Sequence, residues 1–210
     1  MHRPSPVARR QVAPHPSPVA CGPWRRAVPA ALALLALIAG ACDDPFRPRA
    51  DLPNETLTFT LFALSGTPTN APVGLSLSER SVTRISGALE FDLALDLNAS
   101  GDIVVLPVGL VASSPVGTRL VGLQRVAGPF DGLTEAPRTG FVFDSTLTVQ
   151  PGQVVAIQAQ VAECSFSLTP YIFAKIVVDS VDTANRTLLG RTLINLNCGF
   201  RQLTPGLPTF

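Results

Sequence analysis

Three acidic side chains, Glu90, Asp92 and Asp96, fall an even number of residues apart in the segment ALEFDLALDLN (residues 88–98). Residues spaced in this way share one face of a β-strand. Carboxylate oxygens are the ligands that Ca²⁺ prefers, so the three residues are candidate ligands of a hard cation. Carboxylates on a strand usually face water, however, and DLNASGD (residues 96–102) fits no EF-hand spacing. We expect no bound metal and no cofactor.

A second reactive group, the thiol of Cys42, follows an apolar run and precedes two aspartates. The run AVPAALALLALIAGA (residues 27–41) is uncharged, and Arg25 and Arg26 come directly before it. A positive segment, a short apolar segment and small residues at a cut site are typical of a secretory signal peptide. The run is too short to span a bilayer core, which needs roughly 20 apolar residues. We expect residues 1–41, a signal peptide with a Pro- and Arg-rich extension, to be removed.

Residues 25–43 resemble the precursors of bacterial lipoproteins. Ala39, Gly40 and Ala41 are the small residues before the cut site, although the family more often has leucine at the position of Ala39. Cys42 stands where the family has the cysteine that accepts lipid. The resemblance implies a diacylglycerol on the Cys42 thiol and cleavage just before this residue. Two or three acyl chains anchor a protein stably, whereas one chain is marginal. The alternative is an ordinary secreted protein in which Cys42 is a spare thiol.

Cleavage before Cys42 would remove every histidine, because His2 and His15 are the only two in the chain. Histidine is the commonest general base and metal ligand near neutral pH. Ser-His-Asp triads, Cys-His pairs and His-ligated zinc sites are thereby excluded from the mature chain. Its 11 basic and 15 acidic residues give a formal charge of about −4, so a basic surface for nucleic acid is not expected. We predict that the protein is not an enzyme.

Cys164 and Cys198 are the cysteines that remain once Cys21 is cleaved off and Cys42 is lipidated. A pair of cysteines in an oxidising compartment indicates a disulfide, and the alternative is two buried free thiols. The outer strands of a three-stranded meander lie about 9.6 Å apart, whereas the Cα atoms of a disulfide lie only about 4.4 to 6.8 Å apart. We therefore expect that the strand beginning at Tyr171 does not lie between the strands of the two cysteines.

Hydrophobic residues recur with a period of two along the remainder of the chain, in runs separated by Gly, Pro, Asn and Ser. This pattern, without a convincing helix after the signal peptide, predicts an all-β fold. We expect an immunoglobulin-like β-sandwich of about 8–9 strands. The runs cover residues 56–64, 73–79, 88–98, 102–111, 119–126, 141–149, 153–163, 171–181 and 191–200.

Two residues within these runs lead to specific expectations. Lys175 has the opposite parity to Ala174 and Ile176, so we expect its side chain to face solvent. Pro107 has no backbone N–H to donate, so we expect its strand to lie at a sheet edge or to contain a bulge.

Composition divides the chain into four parts. Residues 1–41 are the signal region, and residues 42–55 are a polar, proline-containing tether between lipid and domain. Residues 56–201 form the predicted β-sandwich, and residues 202–210 form a C-terminal tail.

These observations favour a lipid-anchored protein of the bacterial cell envelope, on its periplasmic or surface face, that acts as a binding or structural module. Its expected partners are the membrane, through Cys42, and an envelope protein or glycan. One alternative is a carbohydrate- or small-ligand-binding lipoprotein, which needs a concave surface with convergent polar groups. Another is a hydrolase that uses carboxylates only, which needs two acids facing each other in a cleft.

Overall fold

The computed structural model describes residues 48–84, 90–111 and 119–209, so Cys42 and the predicted signal region lie outside the described residues. The described chain forms ten β-strands, which are numbered in chain order. They are β1 (Glu55–Phe62), β2 (Pro72–Ser76), β3 (Ser81–Arg84), β4 (Leu93–Leu97), β5 (Ile103–Pro107), β6 (Val121–Val126), β7 (Leu147–Val149), β8 (Val154–Gln160), β9 (Tyr171–Asp182) and β10 (Thr187–Asn195).

The strands form two antiparallel sheets of five strands each. The first sheet has the order β1-β10-β9-β8-β6, and the second has the order β3-β2-β4-β5-β7. The chain crosses between the sheets after β1, β5, β6 and β7. Buried residues of both sheets belong to one apolar core, so the prediction of an all-β, sandwich-like chain is confirmed.

Helical structure is minor in the described chain. It consists of the single turn α1 (Val108–Val111) and the 3₁₀ turns Phe130–Gly132 and Ala162–Cys164. Among the residues that the structure describes, no helix is both long enough and apolar enough to cross a membrane.

The main core follows the period of two that the sequence predicts. Phe91, Leu93 and Leu95 are fully buried, and Ile157 of β8 and Ile176 of β9 belong to the same cluster. Alternate side chains of a strand point to one face, so the period of two places these residues on the strand faces that lie between the sheets. The hydrophobic face of these strands could therefore be assigned from the sequence.

A second apolar cluster covers the outer face of the first sheet. It joins Phe173 and Val177 of β9 to Phe130, which lies in the connection between β6 and β7, and to Leu203 near the C-terminus. Phe173 and Val177 have the opposite parity to the core residues of β9, so they point away from the space between the sheets. The connection and the C-terminal segment therefore shield this face from water.

This covering layer explains why the expectation for Lys175 is wrong. The side chain does point away from the main core, as its parity predicts. It is only 2% exposed, however, because residues 130–133 lie over it and their carbonyl groups accept its hydrogen bonds. The strand pattern predicts the direction of a side chain but not what packs above it.

Pro107 is accommodated differently from either expected arrangement. Its strand, β5, is not at a sheet edge, because β4 lies on one side of it and β7 on the other. β7 pairs only with residues 103–105. Pro107 therefore lies beyond the end of β7, where its missing donor leaves no carbonyl of that strand without a partner.

The predicted disulfide between Cys164 and Cys198 is present, with Cα atoms 5.6 Å apart. The inference drawn from it is wrong, because β9 does lie between β8 and β10. Both cysteines lie beyond the ends of their strands, which end at Gln160 and Asn195. The chain after β10 then passes over the start of β9, where Tyr171 accepts a backbone hydrogen bond of 2.9 Å. The spacing between strands therefore does not limit the distance between the two cysteines.

Candidate functional site

The surface around the first described residues is built from three segments that are distant in the sequence. Pro48 is the first described residue and follows Cys42 by six positions. Together with the loop between β8 and β9 and the chain after β10, the residues after Pro48 line a cavity of about 520 Å³. We call residues 48–52, 166–169 and 196–200 the anchor-proximal surface, because Cys42, the predicted site of lipidation, precedes Pro48 by six positions in the sequence.

Asn197 fixes the tether to this surface. Its Oδ1 accepts hydrogen bonds from the backbone N–H groups of Asp51 (2.9 Å) and Leu52 (3.1 Å). Its Nδ2 donates to the carbonyl oxygen of Leu52 (2.7 Å) and to Oδ1 of Asn195 (2.9 Å). A buried amide whose donors and acceptor are all paired holds one conformation. The tether is thus attached to the domain before β1 begins.

Two further asparagines join the same region to the C-terminal segment. Asn54 donates from Nδ2 to the carbonyls of Gln202 (2.9 Å) and Thr204 (3.1 Å), and its backbone pairs with that of Gly206. Asn195 also donates to the carbonyl of Gln202, at 2.9 Å. We call Asn54, Asn195 and Asn197 the asparagine clamp, because they connect the incoming and outgoing ends of the domain.

The asparagine clamp was not predicted from the sequence. The one available signal is the spacing of Asn195 and Asn197 in TLINLNCGF (residues 192–200), where two amides interrupt an otherwise apolar alternation. Asparagine is mostly exposed in proteins, and buried polar side chains need partners. A buried pair at this spacing indicates a local hydrogen-bond network, although the sequence does not show which backbone it binds.

We expect Asn197→Ala to lower the free energy of unfolding by about 2 kcal/mol, because two backbone N–H groups and one carbonyl of the tether lose their partner. Equilibrium unfolding in urea measures the change. Asn185→Ala is the matched control, since Asn185 is exposed and, among the described residues, its side chain bonds to Asp182 within its own turn. A change in Asn197→Ala no larger than that in the control would contradict the role of the clamp.

The three acids considered as cation ligands do not converge on one site. Glu90 is exposed, Asp92 binds Arg119 at 3.3 Å, and Asp96 binds Arg186 at 3.0 Å. Within the described part of the chain, no three or more His, Cys, Asp or Glu side chains are grouped so that they could hold a metal ion. The spacing that suggested a shared cation site instead belongs to residues whose ion pairs are separate, Asp92 with Arg119 and Asp96 with Arg186.

The parity of Asp92 predicts that it faces water, and this expectation is wrong. Asp92 lies just before β4, which begins at Leu93. Its backbone N–H donates to Leu75 and its carbonyl accepts from Val108, both at 2.9 Å. Its carboxylate is fully buried and accepts a hydrogen bond of 2.6 Å from the N–H of Leu77. The residue thus joins the ends of three segments of the second sheet.

We expect the pKa of Asp92 to lie above the usual 3.8, because burial, the largest influence, outweighs the N–H of Leu77 and the charge of Arg119. The folded state then binds the proton more tightly than the unfolded state does. The stability that this proton contributes is fully present below pH 3.8 and is lost as the pH rises through the folded pKa.

NMR titration of the side-chain carboxyl carbons tests this expectation. Asp179 serves as the internal control, because its hydrogen bonds with Arg191 lower the pKa of Asp179 below 3.8. The two midpoints should fall on opposite sides of 3.8. A midpoint for Asp92 at or below 3.8 would show that Arg119 and Leu77 dominate over burial.

A second groove, of about 670 Å³, lies between the β6–β7 connection and the C-terminal segment. Arg201 binds Glu135 at 3.5 Å and also donates to the carbonyl of Ala136, while Arg138 is exposed at the groove. Glu135 is the only acid among the described residues that line it. The groove offers two guanidinium groups to a polar ligand but not a pair of facing carboxylates.

The predicted site residues thus divide into three groups. The structure joins Cys164 to Cys198, separates the three acids, and leaves Cys42 outside the described residues. Comparisons with protein-family models, with curated proteins and with solved structures find no match. Function is therefore inferred from the residues of this chain alone.

Proposed function

We propose that the protein is a lipid-anchored protein of the bacterial cell envelope whose all-β domain is a binding or structural module. The observation that carries the proposal is the order of features in residues 25–43: two arginines, an apolar run, three small residues and Cys42. This order resembles that of bacterial lipoprotein precursors, in which signal peptidase cleavage and lipid attachment take place at such a cysteine, although leucine is commoner than alanine at the position of Ala39. The acyl chains on Cys42 would hold the domain on the periplasmic or surface face of its membrane.

The way in which the tether joins the domain supports this proposal. Only residues 43–47 separate Cys42 from the described chain, and Asn197 binds the backbone of Asp51 and Leu52. A pull on the anchor would therefore reach the domain at the asparagine clamp, close to the disulfide at Cys198. The hydrogen bonds of the asparagine clamp and the disulfide both reinforce the end of the fold at which the anchor would hold the domain.

We also propose that the domain is an immunoglobulin-like sandwich. Two antiparallel sheets and four crossings between them support this assignment, because sandwiches of this type connect strands across two packed sheets. The additional layer formed by residues 127–146 over the first sheet would be a departure from the simplest form of that fold.

A role without catalysis is supported by the residues that remain after Cys42. They include no histidine, and the buried acid Asp92 is bound by Arg119 and by the backbone. Histidine, the commonest general base near neutral pH, is therefore absent from these residues, and the carboxylate of Asp92 is fully buried, out of contact with solvent. No cofactor or metal is part of the proposal.

Ligand binding in the second groove is the alternative that a specific observation favours. The groove is concave, and Arg138 and Arg201 line it together with Thr134 and Gln202. Guanidinium groups bind carboxylates and phosphates through paired hydrogen bonds. Titration of isotope-labelled protein with soluble fragments of envelope glycan would give shifts at these residues if the alternative holds.

Replacement of the anchoring cysteine tests the proposed function. In cells fed an alkyne-labelled fatty acid, we expect the wild-type protein to be labelled and to stay with the membrane after an alkaline wash. Cys42→Ser should lose the label, and the membrane-bound fraction should fall at least about tenfold. Cys21→Ser is the matched control and should behave as wild type. Label retained by Cys42→Ser would overturn the proposal.

A further inference from the structure

The loop between β8 and β9 presents two large apolar side chains to solvent. Phe166 and Leu168 are 102% and 100% exposed, whereas the most exposed of the other large hydrophobic residues in the described chain, Leu207, is 59% exposed. Single exposed apolar residues are common and need no explanation. Two such residues on one loop, both at full exposure, indicate a surface that contacts something apolar.

Several bonds hold this loop in place. The disulfide fixes Cys164 at its start, and Cys164 is buried. The N–H of Ser167 donates to the carbonyl of Cys164 at 3.0 Å, and the hydroxyl of Ser165 donates to the carbonyl of Ala162 at 2.7 Å. The two apolar side chains therefore project from a constrained loop, which reduces the entropy lost when they bind.

The same loop lines the anchor-proximal surface, beside the first described residue, Pro48. The six residue steps from Cys42 to Pro48 reach about 20 Å when fully extended. A compact domain of this size has a radius of gyration of about 15 Å, so the tether is shorter than the domain is wide. Acyl chains on Cys42 would therefore keep this surface close to the bilayer.

We propose that Phe166 and Leu168 insert into the interfacial region of the phospholipid bilayer to which Cys42 is anchored. The inference rests on the lipidation of Cys42 proposed above. The domain then docks with its anchor-proximal surface against the membrane and with the opposite ends of the sheets directed away from it. Leu52, on the same surface and 46% exposed, extends the apolar contact.

The charges around the loop favour neutral lipid rather than anionic headgroups. Arg49 and Asp51 line the same cavity, and Glu163 is exposed beside the loop. One basic residue against two acidic residues gives no net attraction to a negative surface. The contact is therefore apolar, and it should form on vesicles of phosphatidylcholine alone.

Tryptophan fluorescence offers a direct test, because Trp24, the only tryptophan, precedes Cys42 and would be absent from the mature protein. The acylated full-length mature protein carrying Phe166→Trp is reconstituted in phosphatidylcholine vesicles with brominated acyl chains. Indole groups favour the membrane interface, so we expect blue-shifted emission and at least about twofold quenching by the bromine atoms.

Leu189→Trp is the matched control. Leu189 is 48% exposed and lies on β10, six residues before the end of that strand at Asn195. The separation is about 20 Å along the strand, on the side away from Cys198. Its indole should emit as in water and should not be quenched by the brominated lipid.

Intact mass of the same samples separates the possible failures. Acylated protein whose Phe166→Trp indole is no better quenched than that of Leu189→Trp would overturn the inference and leave the anchor standing. Protection of the indole from a water-soluble quencher without quenching by lipid would also overturn it, in favour of contact with a second copy of the chain. A mass without acyl groups would overturn the proposed function and, with it, this inference.

Discussion

Lys175→Ala is expected to lower the free energy of unfolding by about 4 kcal/mol. The ammonium of Lys175 is buried, donates to the carbonyls of Phe130 (2.7 Å) and Leu133 (2.9 Å), and lies 4.4 Å from the centre of the Phe130 ring. Alanine would leave both carbonyls without a donor in an apolar cluster and would open a cavity. The β6–β7 connection would lose the two hydrogen bonds that its residues 130 and 133 accept from the first sheet.

Urea unfolding of the variant measures this effect, and two further variants identify its source. Lys175→Met keeps the volume of the stem and should lose about half as much stability, because it removes the bonds without creating the cavity. Arg191→Ala removes the other cation at the Phe130 ring, 4.9 Å away, but this residue is about one-third exposed and paired with Asp179. It should lose less than about 1 kcal/mol. Equal losses for Lys175→Ala and Arg191→Ala would contradict the structural role of Lys175.

Loss of the Cys164–Cys198 disulfide is the second large effect that we expect, at about 3 to 4 kcal/mol in the chain-entropy description. The cysteines are 34 residues apart, so the cross-link restricts a long segment of the unfolded chain. The double variant Cys164→Ser/Cys198→Ser should unfold at lower urea concentration. Because the bond also fixes the loop that contains Phe166, amide hydrogen exchange at residues 165–169 should become faster.

Chemical reduction of the wild-type protein provides the control for this prediction. The reduced protein and the double variant should unfold at the same urea concentration if the covalent bond alone stabilises the fold. Reduction that shifts the midpoint by less than the equivalent of about 1 kcal/mol would contradict the stabilising role. Unchanged hydrogen exchange in residues 165–169 would show that the disulfide does not restrain the loop.

The strands could be predicted from the sequence wherever one face of a strand is buried. In β4, Leu93, Leu95 and Leu97 face the core and produce the period of two directly. β3 (Ser81–Arg84) was missed because it is a short edge strand whose residues are exposed or only half-buried. An edge strand of this kind contributes few residues to the core, so its sequence carries no hydrophobic alternation.

Most of the covering layer could not be predicted, because residues 127–140 and the C-terminal segment contact the first sheet without a periodic pattern. Residues 127–146 contain only a three-residue 3₁₀ turn, yet Phe130 and Ala136 are buried against the first sheet. The burial of Lys175 and the hydrogen bonds of Asn54 to Gln202 and Thr204 depend on the same distant contacts. Parity predicts the face of a strand, but tertiary structure decides whether that face meets water.

For the two cysteines, the predicted disulfide is confirmed and the strand order inferred from it is wrong. The number of cysteines and the expectation of an oxidising compartment were sufficient to predict that Cys164 and Cys198 form a disulfide. The strand order inferred from it failed, because the turn Ala162–Cys164 carries one cysteine past the end of β8. A covalent bond constrains two Cα positions, whereas strand order depends on residues that lie within the ladder.

Intact mass of the protein purified from its native membrane, before and after reduction, tests the lipid anchor most directly. We predict a chain that begins at Cys42 and carries acyl groups, and that gains two hydrogens on reduction as the Cys164–Cys198 bond opens. A chain that lacks acyl groups, or one that retains residues before Cys42, would contradict the proposed anchor.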